Sequence, residues 1–117
     1  MRPRKLARPR TVKVGEDGRN KLEARYETEV LKPLILAGEV VSYQFEGLKF
    51  RLAKSCFYTP DYVVVTQTHI ELHEVKGFWE DDARVKIKVV AQQNPHFLFV
   101  AIQCKKKQWL KEYFYSR

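Results

Sequence analysis

The sequence lacks any long apolar run, and this absence excludes a helical membrane span. Hydrophobic residues make up 44% of the 117 positions, but no stretch approaches the ~18–20 residues that cross a bilayer. The basic N-terminus has no apolar stretch behind it, so we expect no secretory signal and no membrane partner. A chain of this size and composition is typical of one folded domain with its own core.

Cysteine is also scarce, and its spacing excludes the common thiol and zinc sites. Cys56 and Cys104 are far apart and fall in different predicted elements. The sequence has no CxxC pair and no Cys/His cluster with zinc spacing, so we expect two free thiols in a reducing cytoplasm. Gly15 and Gly18 are not followed by the Lys-Ser/Thr of a phosphate-binding loop. No Ser/His/Asp or Cys/His arrangement for nucleophilic catalysis is evident.

Acidic residues are missing from the first 13 positions, where six basic residues occur. Residues 105–117 hold five basic residues and one acid, so the segment 14–104 has a net charge of −2 although the whole chain has +8. Basic ends on a slightly acidic domain favour a polyanionic partner, although a solubility tail would give the same composition. The N-terminal residues expected to bind nucleic acid are Arg2, Arg4, Lys5, Arg8 and Arg10.

The chain divides into an arm and a single domain. Residues 1–18 are basic, with scattered proline and glycine, and are expected to form a flexible arm. No repeat or long linker divides the rest. Residues 19–117 are therefore expected to form one domain that ends in a basic C-terminal segment.

The domain begins with a predicted amphipathic helix. Asn20 is a suitable N-cap with Glu23 three residues later, and apolar residues recur at nearly every fourth position over about 20–37. Pro33 is expected to kink or locally end this helix, and Gly38 to cap it.

The remainder alternates between strands and helices. Apolar or alternating runs predict strands at 40–45, 48–52, 62–65, 70–76 and 97–102. Asp81 and Asp82 suit the start of a second helix, which Asn94-Pro95 stops. The aromatic residues from Trp109 to Phe114 predict a short final helix. This order predicts an α/β fold in which helices flank a mixed central sheet.

An ionic pair interrupts the apolar side of one predicted strand. Ile70, Leu72, Glu74 and Lys76 alternate along it and therefore share a side. Burying either charge alone is expensive, so each needs a partner or an ion. If this strand pairs antiparallel with the preceding one, Asp61 falls beside Glu74 and Lys76.

Two carboxylates that converge in this way suit magnesium or manganese, which prefer hard oxygen ligands. An ion held there could polarise a phosphate and lower the pKa of an attacking water. Lys76 could position that water or offset charge in the transition state, and Glu23 could reach the same cleft as a ligand or base. A structural salt-bridge network at a strand end would explain the same residues.

Two motifs give the pattern a family resemblance. Tyr58–Tyr62 reads Tyr-Thr-Pro-Asp-Tyr, and with Glu74–Gly77, Glu-Val-Lys-Gly, it resembles the PD-(D/E)xK nuclease signature. The chain continues with an aromatic-Trp-Glu run and a lysine-containing helix ending at a proline, which is similar to the phage endonuclease I family of Holliday-junction resolvases. Leu22–Ala24 matches the helix that carries a catalytic glutamate in that family. The resemblance covers about residues 15–103.

This resemblance implies a restriction-endonuclease-like core with Glu23, Asp61, Glu74 and Lys76 as catalytic residues. The implied ligands of Mg²⁺ or Mn²⁺ are Asp61, Glu74 and the backbone carbonyl of Val75. The implied protein is a homodimer, possibly with exchanged elements, that cuts branched DNA. It would be a phage or prophage protein acting in the cytoplasm of a bacterial host. Further DNA contacts are expected from Lys21, Arg84 and Lys88.

Other interpretations remain open. The chain could instead be a nicking or sequence-directed DNA endonuclease of the repair or transposition type. It could also be a non-catalytic DNA-binding module whose ionic cluster is structural. His69 and His73 are expected to be surface or hydrogen-bonded histidines. Phe78 and Trp79 suit either core packing or stacking on distorted DNA.

Overall fold

The computed structural model describes residues 18–115, in which a five-stranded sheet has helices on both faces. The helical elements are α1 (Lys21–Tyr26), a π-helical segment (Glu27–Leu31), α2 (Lys32–Leu36) and α3 (Asp81–Gln93). The strands are β1 (Ser42–Phe45), β2 (Phe50–Ala53), β3 (Cys56–Tyr58), β4 (Tyr62–Val65), β5 (Ile70–Lys76), β6 (Leu98–Lys105) and β7 (Gln108–Phe114).

The main sheet is mixed, as the sequence predicts. Its strand order is β1-β4-β5-β6-β7, while β2 and β3 form a separate two-stranded sheet. The β5–β6 pair is parallel, and the other neighbouring pairs in the main sheet are antiparallel. A parallel pair needs a crossover, and α3 provides it.

The two faces of the sheet carry two hydrophobic cores. On β4, Tyr62 and Val64 pack in the core that includes Tyr26 of the first helix. Val63, which points the other way, packs in the core that includes Ile87 of α3. Burial on both faces explains why β4 is a continuous apolar run rather than an alternating one.

The first helix begins and ends where the sequence predicts. The Asn20 side chain accepts a hydrogen bond from the Glu23 amide at 2.8 Å, and the Glu23 carboxylate accepts one from the Asn20 amide at 2.9 Å. Gly38 closes the helix with φ of +80°. Near the middle, the Lys32 amide bonds to the Glu27 carbonyl, five residues back, in a π-helical turn immediately before Pro33.

The predicted final helix is wrong, because the segment forms strand β7. Lys105 at the end of β6 pairs with Gln108, and Lys106 and Lys107 make the two-residue turn between them. Aromatic residues of β7 then alternate between faces: Phe114 packs in the α3-side core, and Trp109 packs in the other. The aromatic spacing fits a helix or a strand, and pairing with β6 decides between them.

Several strand boundaries also differ. β1 and β2 each begin two residues later than predicted, and β6 runs three residues further, to Lys105. The three-residue strand β3 was not predicted at all, because so short a run has no clear periodicity.

Some predictions fall on residues that the structure does not describe. Of the arm predicted at 1–18, only Gly18 is described, so all five basic residues assigned to it lie outside the described range. Within 18–115, no helix is long and apolar enough to cross a membrane.

Candidate functional site

The β4–β5 hairpin brings Asp61 beside Glu74. Tyr62 pairs with His73 in the antiparallel register, so the preceding residue, Asp61, stands opposite Glu74. The backbone amide of Val75 donates a hydrogen bond of 2.8 Å to Oδ2 of Asp61. Both carboxylates are buried, with Asp61 6% and Glu74 9% exposed. The predicted convergence at this end of the sheet is therefore present.

Glu23 reaches the same point from α1. It is the third residue of that helix and is only 1% exposed. Its carboxylate lies close enough to Asp61 to help raise the pKa of the Asp61 carboxyl. The first helix thus adds a third acid to the pair on the hairpin.

Glu74 is held from two sides. The Tyr58 hydroxyl, on β3, donates to its Oε1 at 3.0 Å, and the Lys76 ammonium lies 3.5 Å from its Oε2. The Lys76 side chain is 44% exposed, so the amine stands at the mouth of the site rather than inside it. Sequence reasoning gave Tyr58 no separate role, because the strand that positions it was not predicted.

The electrostatics of the cluster favour a bound cation or a bound proton. Burial raises the pKa of Asp61 well above its usual value, and the nearby carboxylates of Glu74 and Glu23 raise it further. Burial also raises the pKa of Glu74, against the opposing effect of Lys76 and of the Tyr58 hydroxyl. Asp61 and Glu74 therefore cannot both be ionised cheaply without a positive charge beside them.

The donor set fits a hard divalent cation held by few protein ligands. Asp61 and Glu74 supply carboxylate oxygens, which magnesium and manganese prefer. Within residues 18–115, no group of three or more His, Cys, Asp or Glu side chains has the arrangement of a complete metal site. Magnesium usually keeps several waters and binds through one or two carboxylates plus substrate phosphate, so two carboxylates are sufficient.

A fourth buried acid, Glu27, supports the first helix behind the site. The Tyr62 hydroxyl lies 2.9 Å from the Glu23 carbonyl and donates to Oε2 of Glu27 at 2.7 Å. The Tyr43 hydroxyl donates to the other oxygen at 2.8 Å, and Arg19 forms an ion pair with the same carboxylate. Sequence reasoning missed this role of Glu27. The available signal was its position, one turn after Glu23 on a face next to the apolar stripe.

The histidines behave as the sequence predicts. His73 is buried between the Tyr26 hydroxyl, 2.6 Å from its Nδ1, and Glu71, 2.8 Å from its Nε2. Burial lowers the pKa of His73, while hydrogen bonds from His73 and then His69 lower the pKa of Glu71 to about 2. His73 is therefore a neutral, hydrogen-bonded histidine, and His69 is a surface residue.

The other residues predicted to contact DNA, Lys21, Arg84 and Lys88, lie on two different helices. Lys21 is exposed at the first position of α1, next to the site. Arg84 forms a two-bond ion pair with Glu112 of β7, at 2.6 and 2.7 Å, and Lys88 is exposed one turn further along α3. Arg84 is thus already paired, while Lys21 and Lys88 keep exposed amines.

The two aromatic residues after β5 have separate environments. Phe78 is 74% exposed, whereas Trp79 packs against the α3-side core. The Trp79 indole also donates to the Ile102 carbonyl at 3.3 Å. Core packing therefore holds for Trp79, and Phe78 is left on the surface.

Comparison with known proteins does not assign the chain to a family. No protein-family model matches the chain, and neither the search of curated proteins nor the search of solved structures gave a match. The resemblance carried by the motifs therefore stays a prediction.

Proposed function

We propose that this chain is a metal-dependent endonuclease that hydrolyses DNA phosphodiesters, with branched DNA as its preferred substrate. The observation that carries the proposal is the convergence of Glu23, Asp61 and Glu74 with Lys76 at one end of the sheet. Three buried acids and one half-exposed lysine at a single point suit phosphodiester chemistry better than fold stability, because each buried acid destabilises its neighbours.

The proposed cofactor is Mg²⁺ or Mn²⁺, held by Asp61 and Glu74 with the backbone carbonyl of Val75 as a further ligand. Such an ion supplies polarisation of the phosphate and a lower pKa for an attacking water. The Val75 amide, hydrogen-bonded to Oδ2 of Asp61, and the Tyr58 hydroxyl, hydrogen-bonded to Oε1 of Glu74, fix the orientation of the two carboxylates.

Lys76 and Glu23 take the remaining roles. The half-exposed Lys76 amine can move from Glu74 toward a phosphate oxygen and offset the negative charge that develops there. Glu23 lies beside Asp61 at the N-terminal end of α1, and its carboxylate can accept a proton from the attacking water.

The motifs extend this proposal to the fold family and the assembly. They support a restriction-endonuclease-like core for the mixed sheet and its helices. They also support a homodimer, possibly with exchanged elements, because paired cuts across a four-way junction need two active sites. The corresponding setting is the cytoplasm of a bacterial host, where a phage or prophage protein would act.

A specific observation favours a second candidate, a non-catalytic DNA-binding module. The three carboxylates already have hydrogen-bond or ion-pair partners: the Val75 amide for Asp61, Tyr58 and Lys76 for Glu74, and the Asn20 backbone amide for Glu23. A satisfied network can be purely structural. A nicking or sequence-directed endonuclease is the alternative among nucleases, since it would use the same four residues.

Cleavage of matched DNA substrates distinguishes these candidates. Labelled four-way junction, nicked duplex and linear duplex of the same sequence are incubated with the protein and Mg²⁺ or Mn²⁺, with EDTA as the control. The proposal expects metal-dependent cleavage, fastest on the junction. Faster cleavage of nicked or linear DNA would favour the alternative nucleases. Binding without cleavage under either metal would favour the non-catalytic module.

A further inference from the structure

The turn between β6 and β7 has an unusual combination of conformation and sequence. Lys106 and Lys107 are its two residues, and their φ angles are +51° and +64°. A two-residue hairpin turn with positive φ at both positions is a type I′ turn, in which Asn-Gly and Asp-Gly are preferred. The Cβ of lysine makes positive φ unfavourable. Local folding therefore does not favour Lys-Lys here, and the two lysines point to another requirement.

The position of this turn suggests that requirement. Lys76, at the end of β5, pairs with Gln103, so β6 continues past β5 and places its last residue, Lys105, about 7 Å beyond it. Glu74 pairs with Ala101, which puts Lys105 about 13 Å from the acidic cluster along β6, with the turn directly after it. The Gln103 side chain donates to the Gly77 carbonyl at 3.4 Å and so ties the hairpin to the loop after β5. The turn and the candidate site thus share one end of the sheet.

Three successive lysines project from this hairpin: Lys105, Lys106 and Lys107, here called the lysine turn. All three are exposed, and none forms an ion pair within the described range 18–115. Arg84, on α3, is by contrast neutralised by Glu112. The acidic residues Glu80–Asp82 begin α3 at the same end of the sheet, so phosphate binding there falls to the lysine turn rather than to the α3 start.

We propose that the lysine turn binds backbone phosphates of duplex DNA beside the bond positioned at Asp61 and Glu74. The inference deepens the proposed function and rests on it for the position of the cleaved bond. The turn acts by charge alone, so its contribution is independent of sequence and sensitive to salt.

A turn variant that is better folded than the natural one provides the test. Lys106→Asn with Lys107→Gly removes two charges and installs the preferred type I′ pair, so its thermal midpoint should equal or exceed that of the wild type. The matched control, Lys32→Gln with Lys54→Gln, also removes two exposed lysines. It changes α2 and the β2–β3 turn.

Binding is measured by fluorescence anisotropy with a labelled 20-base-pair duplex in EDTA, which prevents cleavage, over a series of salt concentrations. The turn variant should bind roughly tenfold to fiftyfold more weakly at 0.1 M salt, with a slope of log affinity against log salt that is shallower by about 1.8. The control should change affinity less than twofold. If the turn variant matches the wild type or the control in both affinity and slope, the inference is overturned.

The outcome is separable from that of the proposed function. Metal-dependent cleavage by a wild type whose DNA affinity does not depend on the turn would overturn only the inference. Turn-dependent binding without cleavage under Mg²⁺ or Mn²⁺ would support the inference and count against the nuclease. A wild type that fails to bind duplex DNA overturns the inference directly.

Discussion

At the scale of single residues, the buried carboxylates of Asp61 and Glu74 conflict with the hydrophobic interior around them. Alternation along β5 was enough to place Glu74 and Lys76 on one side, and antiparallel pairing was enough to add Asp61. The contacts that orient these groups were not predictable, since the Tyr58 hydroxyl reaches Glu74 from a strand without a sequence signal. Pairing registers follow from periodicity, whereas hydrogen bonds between distant elements follow from packing.

Asp61→Asn should stabilise the metal-free protein at neutral pH. The folded-state pKa of Asp61 is raised above its unfolded value, so its contribution to stability is present at low pH and is lost as pH rises through the raised pKa. Asparagine keeps an acceptor for the Val75 amide and carries no charge. The gap in Tm between variant and wild type should therefore widen from pH 4 to pH 8, measured by thermal denaturation in EDTA.

Bound metal should reverse the order of the Tm values of the wild type and the Asp61→Asn variant. Saturating Mg²⁺ should raise the Tm of the wild type but not that of the Asp61→Asn variant, because binding to the native state alone is stabilising. Gln92→Ala, at an exposed position on α3, is the control: it removes no titratable group, so its Tm gap from the wild type should not change with pH. An unchanged Tm gap across this pH range would contradict the buried, uncompensated charge assigned to Asp61.

At the scale of elements, the sequence predicted β4, β5 and both main helices, because each has a strong period and clear end signals. The sequence correctly predicted that Pro33 disturbs the first helix, but the π-helical turn before it was not predictable from the proline alone. The segment from Trp109 to Phe114 was assigned to a helix, since its aromatic residues recur at helical spacing. The turn sequence did not indicate a hairpin either, because Lys106 and Lys107 are not residue types that favour two-residue hairpin turns.

Glu27 should be the residue that joins the π-helical segment to the sheet. Replacing it with alanine leaves the Tyr43 hydroxyl without its acceptor and leaves the Tyr62 hydroxyl only the Glu23 carbonyl, so we expect a loss of about 1–3 kcal/mol in the free energy of unfolding. Glu27→Gln keeps an acceptor and should lose about 1 kcal/mol. Urea denaturation measures both, with the exposed Glu39→Ala as control.

A different order of stability among these variants would change the role assigned to Glu27 in the π-helical segment. If Glu27→Ala were no less stable than Glu39→Ala, the two tyrosine hydroxyls would not depend on the carboxylate. The junction of α1 and the π-helical segment would then be held by the hydrophobic core alone.

At the scale of the whole molecule, positive charge is concentrated outside an acidic centre. The first 13 residues contain six basic residues and no acid, and the lysine turn adds three more at the site end of the sheet. Composition predicted a polyanionic partner, but it treated residues 105–107 as part of a tail. Only the β6–β7 pairing shows that they belong to a folded hairpin near the site.

Replacing the six basic residues of positions 1–13 with glutamine should weaken binding to duplex DNA. Each lost phosphate contact should lower the slope of log affinity against log salt by about 0.9. Anisotropy titrations at several salt concentrations measure both quantities, and deletion of residues 1–13 should give the same result. Equal affinity and slope in wild type and variant would show that this segment does not contact DNA.

The central claim is that the cluster of Glu23, Asp61, Glu74 and Lys76 catalyses metal-dependent cleavage of DNA. The most direct measurement is the cleavage rate of a labelled four-way junction in Mg²⁺ by wild type and Lys76→Ala, with junction affinity measured in EDTA and Lys86→Ala as control. We predict that Lys76→Ala loses at least about 100-fold in rate while its affinity stays within a few-fold, because Lys76 acts on charge that develops only in the transition state. Cleavage by Lys76→Ala at the wild-type rate, or no cleavage by the wild type, would contradict the claim.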